Sequence, residues 1–523
     1  MSDSSANAHL ERLRFAGFTA AIFALLTLPR LFTHELWRDE AWLWLVVVES
    51  ANLSDLGASL ARSGQGYLFP WLCYVAKGFS TSPVAMQSVN LVLAVAGVFV
   101  FARWAPFRRA HRALFVLGYL PFYEYAVLSR HYAAGVLLLW LGCSAARRLK
   151  PALGLGAALG LLCQTTVYGF ILAIAVGGGF LVERWLRRRT PEPGLAIPGP
   201  PVSRLSRTEI AAGLALALAG GLAGLVQLNP ETGTSFAQAW RFGWYPEVAL
   251  RVLQMPLRAF APLPQPGLHF WNTNLLDPWP ALQALAGVGM LLGAIAFVWP
   301  RKAALATLLL GTAGLGAFGY VKYVGQMRHD GHWWLLFVAA LWVGGGWPTA
   351  QGRTARGTWS GDWRPPVLLA VLCLHCAAGA YASWIDLGHP FSNGARTAAA
   401  IRDRGLDRVP LLGYREPPAA TVALALGKPL FSPSRGRFVT HPDWGPEQRD
   451  LSLAELRCAA RALAAREASD IGLVLNRELP AWPEVEAAGA VLGAIQASED
   501  YHLYRLLQAR LNETASAARC EPD

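Results

Sequence analysis

Hydrophobic residues in this chain form long runs that are separated by short polar stretches. A helix that crosses the hydrocarbon core of a bilayer needs roughly 20 such residues, so the runs predict a polytopic α-helical membrane protein. One run, 151–182, is divided at the polar sequence Gln164-Thr165-Thr166. We predict eleven membrane-spanning helices, at residues 15–33, 84–102, 113–129, 131–146, 151–164, 166–182, 209–228, 281–299, 303–321, 332–348 and 366–386.

The basic residues indicate how these spans are oriented. In membrane proteins, Lys and Arg are concentrated in the cytoplasmic loops. With eleven spans and a cytoplasmic N-terminus, every basic cluster falls on that side. These clusters are Arg12 with Arg14, 103–112, 147–150, 184–189, Arg204 with Arg207, Arg301 with Lys302, and 353–364. We therefore predict a multi-pass protein of the bacterial inner (plasma) membrane, with its C-terminal region outside the cytoplasm.

Two large loops are predicted on the outer face. Residues 34–83 include the apolar segment 67–79, which is too short to span the bilayer. We predict that it forms a juxtamembrane helix in the outer interface, beside helices at 41–50 and 55–62. Loop 229–280 is rich in Pro and Trp and is long for a connector. We predict that it packs over the outer face as a partial lid.

The composition changes after residue 386, which divides the chain into a transmembrane domain, 1–386, and an extracytoplasmic α/β domain, 387–523. Short apolar segments typical of strands alternate there with helical patterns. We predict strands at 409–413, 471–475, 490–495 and 501–507, and helices at 393–404 and 453–466. Cys458 and Cys520 lie in this domain and are available to pair, which the sequence alone does not decide.

The overall composition agrees with this class of protein. Of the 523 residues, 54% are hydrophobic and 15% are charged, and the mean hydropathy is +0.32. The net charge of +12 does not indicate nucleic-acid binding, because the basic residues follow the membrane topology. The partner that the composition predicts is the lipid bilayer.

Asp39 and Glu40 form an acidic pair shortly after the first span. Carboxylates are costly at a membrane boundary unless they have a partner or a function. An ionised carboxylate there can take a proton from an acceptor hydroxyl or bind a divalent metal, Mg or Mn. Arg38 can bind a phosphate or alter the pKa of the pair. The alternative is a solvated loop in which the two acids simply pair with Arg38.

Arg130 begins the fourth span together with His131 and Tyr132. An arginine presents a fork of donors that suits phosphate oxygens, and a tyrosine anchors at the level of the lipid headgroups. The alternative is an interfacial anchor whose long side chain reaches toward water. Basic residues are otherwise scarce on the outer side, which favours a binding role for Arg130.

A second cationic group surrounds the outer start of the tenth span. Lys322 and Arg328 are predicted to hold a phosphate, with His329 and His332 beside them. The two histidines are one helical turn apart and have no third ligand in sequence, so a metal site is not favoured. The alternative is an ordinary basic loop that flanks a span.

Three further polar residues belong to the same face. His34 precedes the acidic pair, and Gln164 lies at a helix break where its amide can bind sugar hydroxyls. The threonines that follow Gln164 are more simply explained as caps of two half-helices. Glu124 lies inside an apolar span and needs a partner, for which Arg130 and Lys322 are the candidates.

The order of these motifs resembles the GT-C superfamily of integral-membrane glycosyltransferases, which use polyprenyl-phosphate sugars and include protein O-mannosyltransferases and lipid A aminoarabinose transferases. The motifs are an acidic segment (37–42), a Gly-x-Pro-like juxtamembrane segment (64–71), an Arg-x-Tyr opening of a span (129–132) and a late outer loop with arginine (327–329). The chain is especially similar to bacterial members with Trp-Arg-Asp-Glu, Ala-Pro-Phe, Tyr-Glu-Tyr and Arg-His elements. The resemblance covers roughly residues 10–350.

The resemblance implies a glycosyltransferase that moves a sugar from a polyprenyl-phosphate donor to an acceptor hydroxyl on the extracytoplasmic face. Asp39 would deprotonate the acceptor, and Glu40 would support Asp39 or bind a metal. We expect the donor phosphate to be held by Arg38, Arg130, Lys322 and Arg328. We expect the sugar or acceptor pocket to be lined by His34, His131, Tyr132, Gln164, His329 and His332.

Two features depart from the superfamily pattern. The sequence Gln164-Thr165-Thr166 stands where a His is usual, and loop 229–280 shows no second acidic motif. Metal dependence and the acceptor, a glycan, lipid or protein, stay open. One rival function is a transporter or flippase of a lipid-linked substrate, which predicts internal repeats and mid-span charges that we do not find apart from Glu124. Another is a non-catalytic assembly protein whose C-terminal domain binds a partner.

Overall fold

The structure is a computed structural model that describes residues 3–145, 151–189, 206–237, 240–345 and 362–511. Helices form the chain as far as residue 388, and a mixed β-sheet follows. The predicted helical membrane protein with a small C-terminal α/β domain is therefore confirmed. The basic cluster at 147–150, Arg204 and the first part of 353–364 lie outside the described residues.

The helical domain contains both long apolar helices and short helices that connect them. They are α1 (Asp3–Thr27), α2 (Arg30–Thr33), α3 (Arg38–Glu49), α4 (Leu53–Ala61), α5 (Leu68–Lys77), α6 (Val84–Trp104), α7 (Arg109–Val116), α8 (Tyr132–Ala145), α9 (Pro151–Leu162), α10 (Val167–Arg189), α11 (Arg207–Gln227), α12 (Pro246–Phe260), α13 (Pro280–Val298), α14 (Lys302–Val321), α15 (Met327–Asp330), α16 (His332–Val343) and α17 (Arg364–Gly388). In the described part of the chain, 7 segments are long and apolar enough to cross a membrane, namely α1 with α2, α6, α10, α11, α13, α14 and α17. The shorter apolar helices α8 and α9 match two further predicted spans.

The two remaining predicted spans have a different form. Span 113–129 is not one helix, because α7 ends at Val116 and a π-helix follows from Tyr119 to Glu124. Pro121 lies in this segment, and proline lacks the N–H group that continues a helical ladder. The next residues run in turns as far as α8. Span 332–348 is shortened to α16, whose residues are all buried among other helices.

The N-terminal segment contacts the end of α6 and the start of α7. The basic loop after α6 contacts the N-terminal segment, since Arg109 Nη2 lies 2.8 Å from Glu11 Oε2 and Arg103 Nη2 lies 3.1 Å from His9 Nδ1. The acidic start of α3 contacts the short helix α15, since Asp39 Oδ2 lies 3.5 Å from Arg328 Nη2.

Both large outer loops contain helices. Helices α3, α4 and α5 form within residues 34–83, as predicted, and α5 covers most of segment 67–79. Loop 229–280 differs from the prediction because it includes helix α12, whose second half, 254–260, is buried. Trp271 from the same loop lies 4.8 Å from Trp37, measured between ring centroids. The loop therefore covers the acidic segment.

The C-terminal domain is a mixed sheet flanked by helices. Its elements are α18 (Gly394–Asp403), β1 (Leu411–Gly413), α19 (Glu416–Leu426), β2 (Leu430–Ser432), β3 (Arg437–Val439), α20 (Leu453–Glu467), β4 (Ile471–Leu475), β5 (Val485–Val491) and β6 (Tyr501–Leu506). The strand order is β3-β2-β1-β4-β6-β5, in which β2, β1 and β4 are parallel and the other pairs are antiparallel. The parallel strands are entirely buried, as expected for strands covered on both faces.

Most of the predicted elements of this domain are confirmed. The strand expected at 490–495 instead occupies Val485–Val491, an edge strand that is irregular at Gly489 and has mixed exposure. The short strands β2 and β3 and the helix α19 were not predicted. Cys458 is disulfide-bonded, whereas Cys520 lies outside the described residues.

The C-terminal domain rests directly on helix α3. The indole Nε1 of Trp42 donates to the Pro442 carbonyl at 2.9 Å. The backbone N of Arg38 donates to Glu499 Oε1 at 3.0 Å. The sheet domain therefore touches the helix that carries the acidic pair.

Candidate functional site

Asp39 and Glu40 lie in the first turn of α3. The free N–H groups at the start of a helix favour negative charge there. The Glu40 side chain also accepts a hydrogen bond from the backbone N of Trp37 at 3.3 Å, which satisfies one of these groups. The local sequence thus fixes both acids at the start of α3, although their side chains meet different surroundings.

Asp39 faces cations and solvent. Its side chain is 25% exposed, with Oδ2 at 3.5 Å from Arg328 Nη2 and Oδ1 at 4.0 Å from Arg38 Nε. Arg130 Nη1 donates to the main-chain carbonyl of Asp39 at 2.6 Å. The structure thus brings together four residues that the sequence assigned to one site. A carboxylate in this position can accept a proton from a bound hydroxyl.

Glu40, in contrast, is enclosed by protein. Its Oε2 lies 3.2 Å from His34 Nε2, and its Oε1 accepts a hydrogen bond from the backbone N of Ser129. Because both oxygens are occupied, Glu40 is placed to hold the segment after the π-helix against α3 rather than to meet a substrate.

The acidic pair does not suit a divalent metal. Only Asp39 keeps an accessible carboxylate, and two guanidinium groups surround it. Carboxylate and carbonyl oxygens, rather than cations, are the neighbours that Mg or Mn requires. Among the described residues, no group of three or more His, Cys, Asp or Glu side chains is placed to hold a metal ion.

His34 is buried between two carboxylates. Its Nε2 lies 3.2 Å from Glu40 Oε2, and its Nδ1 lies 3.3 Å from Asp386 Oδ1. Burial lowers the pKa of His34, but Asp386 and Glu40 outweigh burial and raise it to about 10. The sequence placed His34 in a sugar or acceptor pocket. The structure places it instead in a buried chain of ion pairs between the first outer loop and the last long helix, α17.

Replacing His34 by Gln is expected to destabilise the protein by about 3–5 kcal/mol, because two buried carboxylates lose the cation between them. Since the pKa of His34 is raised, its contribution is complete below about pH 6.5 and is lost as the pH rises toward about 10. Thermal unfolding in detergent should show a lower midpoint for the variant at pH 6.5 and a smaller difference at pH 10. His389→Gln, at an exposed position at the end of α17, is the control. A difference that does not depend on pH would contradict a charged His34.

Arg328 is held in place by aromatic rings and a glutamine. Its guanidinium carbon lies 4.9 Å from the Trp37 ring centroid and 5.3 Å from that of Trp271. Its Nη1 donates to Gln326 Oε1, so that Nη2 is left toward Asp39. The side chain is 7% exposed, and cation–π contacts stabilise a guanidinium group that is removed from bulk water.

Glu124 is paired with neutral donors. The Tyr119 hydroxyl donates to its Oε2 at 2.8 Å, and Trp271 Nε1 lies 3.2 Å from both carboxylate oxygens. The predicted partners, Arg130 and Lys322, are therefore wrong, because the π-helix directs Glu124 toward Trp271. Glu124 in this way supports the ring against which Arg328 packs.

His329 and His332 fix the short helix that carries Arg328. His329 Nδ1 accepts from the backbone N of Gln326 at 2.9 Å, and its Nε2 lies 2.9 Å from the Tyr132 hydroxyl. Burial and the nearby Arg328 hold the pKa of His329 well below its ordinary value, so the ring is neutral and its proton lies on Nε2. His332 Nδ1 donates to the His329 carbonyl at 2.9 Å. These rings support Arg328.

Gln65 joins two of the predicted site residues, although the sequence patterns did not single it out. Its Oε1 accepts from His131 Nε2 at 2.8 Å and from Arg130 Nη2 at 3.3 Å. The next residue, Gly66, passes so close to the Gln164 carbonyl that a Cβ would lie 2.1 Å from its oxygen. Only glycine permits this approach, which brings Gln65 to Arg130.

Lys322 and Gln164 do not contact Asp39 and are hydrogen-bonded elsewhere in the protein. Lys322 Nζ donates to the main-chain carbonyls of residues 236 and 237, which fastens loop 229–280 to the end of α14. Gln164 Oε1 accepts from Gln227 Nε2 at 3.2 Å, and its carbonyl faces the segment that contains Gly66. Both were predicted at the substrate, and the structure assigns them to loop packing.

Asp330 anchors the helix inside loop 229–280. Its Oδ2 lies 2.9 Å from Arg258 Nε and 3.3 Å from Arg251 Nη2, and its side chain is buried. Both arginines belong to α12, which the sequence did not predict. This pairing holds the covering loop to the helix that carries Arg328.

Glu499 brings the C-terminal domain into the site. It accepts a hydrogen bond from the backbone N of Arg38, next to Asp39. Burial raises the pKa of Glu499 to about 7, with hydrogen bonds from Ser392 and Arg38 acting in the opposite direction. A group whose charge changes near neutral pH therefore lies at the contact between the two domains.

Glu499→Gln is expected to stabilise the protein at pH 8 and to leave its stability unchanged at pH 4.5. The folded state favours the protonated acid, so this group's contribution is complete below about pH 4.5 and is lost as the pH rises through about 7. Each pKa unit corresponds to about 1.4 kcal/mol, which gives an expected gain of roughly 1–3 kcal/mol for the neutral glutamine. Thermal unfolding at the two pH values tests this, with the exposed Glu478→Gln as control. Equal effects at both pH values would refute it.

Two solved structures resemble this chain in backbone fold. The crystal structure of ArnT from Cupriavidus metallidurans in the apo state matches 94% of this chain and 98% of its own, with 13% identity and a TM-score of 0.47. That of ArnT bound to undecaprenyl phosphate matches 93% and 97%, with 12% identity and a TM-score of 0.45. No protein-family model matches the sequence, and no curated protein matches it either. At these TM-scores, neither structure bears on which residues of this chain act in a reaction.

Proposed function

We propose that this chain is a glycosyltransferase that moves a sugar from a polyprenyl-phosphate donor to an acceptor hydroxyl on the extracytoplasmic face of the membrane. The observation that carries the proposal is the position of Asp39. Its carboxylate is reached by solvent and lies 3.5 Å from Arg328 and 4.0 Å from Arg38, at the polar end of an apolar helical domain. The order of sequence motifs, which resembles that of GT-C enzymes, supports the same reaction.

Arg328 and Arg130 bind the donor phosphate in this proposal. Arg328 is buried between two indole rings, where a charge interaction is stronger than in water. Arg130 is anchored through Gln65 and the Asp39 carbonyl. Guanidinium groups fixed in this way can stabilise the negative charge that collects on the phosphate as it leaves.

Asp39 acts as the general base. It takes the proton of the acceptor hydroxyl, and the acceptor oxygen forms a bond to the anomeric carbon of the donor sugar. The bond from that carbon to the phosphate oxygen breaks, and its electron pair leaves with the polyprenyl phosphate. A single displacement of this kind inverts the anomeric configuration.

Two observations support an extracytoplasmic site. The basic residues Arg12 and Arg14 lie near the start of the span Asn7–Thr33, whose other end leads into the acidic segment, and basic residues are expected on the cytoplasmic side. Cys458 in the C-terminal domain is disulfide-bonded, and disulfides persist in oxidising compartments such as the periplasm.

The proposal is tested with the purified full-length protein and a panel of radiolabelled polyprenyl-phosphate pentoses and hexoses, added to bacterial envelope fractions. Transfer of label, together with release of polyprenyl phosphate, is the expected result. Movement of an intact lipid-linked sugar across a vesicle membrane would instead identify a flippase. If no donor were cleaved or moved, the role of an assembly protein would be favoured.

A further inference from the structure

A cavity of about 360 Å³ opens in the C-terminal domain at the carboxyl ends of β1, β2 and β4. These strands are parallel, and residues that follow each of them line the cavity: Arg415 after β1, Ser434 after β2 and Asn476 after β4. In open α/β sheets, ligands bind at this edge. The volume lies within the roughly 300–1,000 Å³ that is typical of small-molecule sites.

Arg415 holds a backbone conformation that residues with side chains rarely adopt. Its φ is +57° and its ψ is 98°. Strained residues of this kind cluster at ligand sites, where the position of the side chain is used. Its Nη2 lies 2.7 Å from Asp450 Oδ2, and the Asp450 side chain is 64% exposed. The partner of Arg415 is therefore an acid that a ligand can displace.

Polar atoms next to the cavity are left without a protein partner. Within the part of the chain that the structure describes, Asn476 Oδ1 and two guanidinium nitrogens of Arg477, Nε and Nη2, are buried and form no hydrogen bond. The Arg477 guanidinium carbon lies 4.6 Å from the ring centroid of Tyr414, which lines the cavity. Buried polar groups are normally satisfied, so these atoms indicate a missing hydrogen-bonding partner.

The charge around the cavity suits a ligand with one negative charge. The charged residues that line it are Arg38, Arg415, Arg449, Glu416 and Asp450. Arg449 is already paired with Glu455 and Glu416 with Arg435, which leaves Arg38 and Arg415 facing Asp450 and a small excess of positive charge for a ligand. The fork of an arginine matches a carboxylate in shape, and Arg415 already contacts one carboxylate oxygen of Asp450 through Nη2.

Arg38 connects this cavity to Asp39. Its Nη1 donates to the Ser498 hydroxyl at 3.4 Å in the cavity wall. Its Nε lies 4.0 Å from Asp39 Oδ1. A molecule in the cavity therefore lies within one side chain of the carboxylate that we propose as the base.

We propose that this cavity binds the acceptor through a sugar unit that carries a carboxylate, which is a uronic-acid residue. The carboxylate replaces Asp450 on Arg415, and a sugar hydroxyl pairs with Asn476, which lines the cavity. The adjoining unit extends past Arg38 to Asp39. The role as acceptor rests on the proposed function, whereas the binding of an acidic saccharide does not.

Calorimetric titration of the full-length protein in detergent with tri-galacturonate, and with neutral maltotriose, tests the site. The acidic trisaccharide is expected to bind at least 10-fold more tightly. Arg415→Gln should weaken its binding by roughly 10-fold or more, because a charge-assisted pair is lost. Arg505→Gln is a matched control, since that side chain is 45% exposed and pairs with Asp470 at 2.9 Å, as Arg415, 46% exposed, pairs with Asp450. Arg449→Gln provides a second variant at the cavity.

Three results would overturn the inference. They are equal affinity for the two saccharides, unchanged binding by both cavity variants while they remain folded in thermal unfolding, and tighter binding of a phosphorylated trisaccharide than of tri-galacturonate. The binding assay tests the cavity, and the transfer assay tests the proposed reaction, so either hypothesis can be refuted without the other. Binding of tri-galacturonate without any sugar transfer would refute the proposed reaction and support the cavity. Transfer without such binding would refute the cavity and support the reaction.

Discussion

Asp39→Asn is expected to lower sugar transfer by roughly 10²- to 10⁴-fold, the range over which a general base contributes to rate. Asparagine has nearly the same shape, but it cannot take the proton of the acceptor hydroxyl. The Asp39 side chain is partly exposed, so the substitution leaves the buried contacts of Glu40 and His34 in place. The measurement is transfer of label from a polyprenyl-phosphate sugar by protein purified from membranes.

Asp55→Asn is the matched control for this variant. Asp55 lies in the first turn of α4, in the same outer loop, and is exposed. It should therefore retain transfer at the wild-type rate. Turnover at the wild-type rate by Asp39→Asn itself would end the assignment of Asp39 as the base.

Arg328→Gln is expected to reduce transfer by roughly 10²- to 10³-fold, because a fixed donor to the leaving phosphate is lost. Lys322 was predicted to have the same role, but the two cations have different contacts in the structure. Lys322 is committed to main-chain carbonyls of loop 229–280, whereas Arg328 Nη2 is directed to Asp39. Lys322→Gln should therefore change transfer only a few-fold.

Both cation variants are compared at equal amounts of folded, membrane-inserted protein. In a second measurement, the affinity for a polyprenyl phosphate, the class of leaving group in the proposed reaction, should decrease for Arg328→Gln and stay constant for Lys322→Gln. Equal losses of transfer activity in the two variants would contradict the assignment of Arg328, rather than Lys322, to the donor phosphate.

Hydrophobic runs were sufficient to place most of the long helices, because a membrane imposes a length of about 20 apolar residues on each. The third predicted span failed for a local reason. Its hydropathy is that of a helix, but Pro121 interrupts the ladder and a π-helix results. Helix α12 was missed because its alternating charged and apolar residues suit a helix that packs on protein, which a search for apolar runs does not detect.

The sequence grouped Asp39, Arg130 and Arg328 because each lies at the outer end of a predicted span. The resemblance assigned the role of base to Asp39 and a supporting or metal-binding role to Glu40, but the local pattern did not show that the Glu40 side chain is enclosed by His34 and Ser129. Asp386 was overlooked inside an apolar span, although it pairs with His34. Contacts between residues that are hundreds of positions apart depend on tertiary packing, which local sequence patterns do not predict.

The pair of His34 and Asp386 has a consequence for biosynthesis. The two residues are separated by 352 positions, and the second lies near the end of the last long helix. A growing chain in the translocon therefore holds an incomplete ion chain around Glu40 until its final hydrophobic segment has been inserted. Nascent chains that stop before residue 386 of 523 lack this ion pair, so the acidic loop reaches its final arrangement only after the last hydrophobic helix has been made.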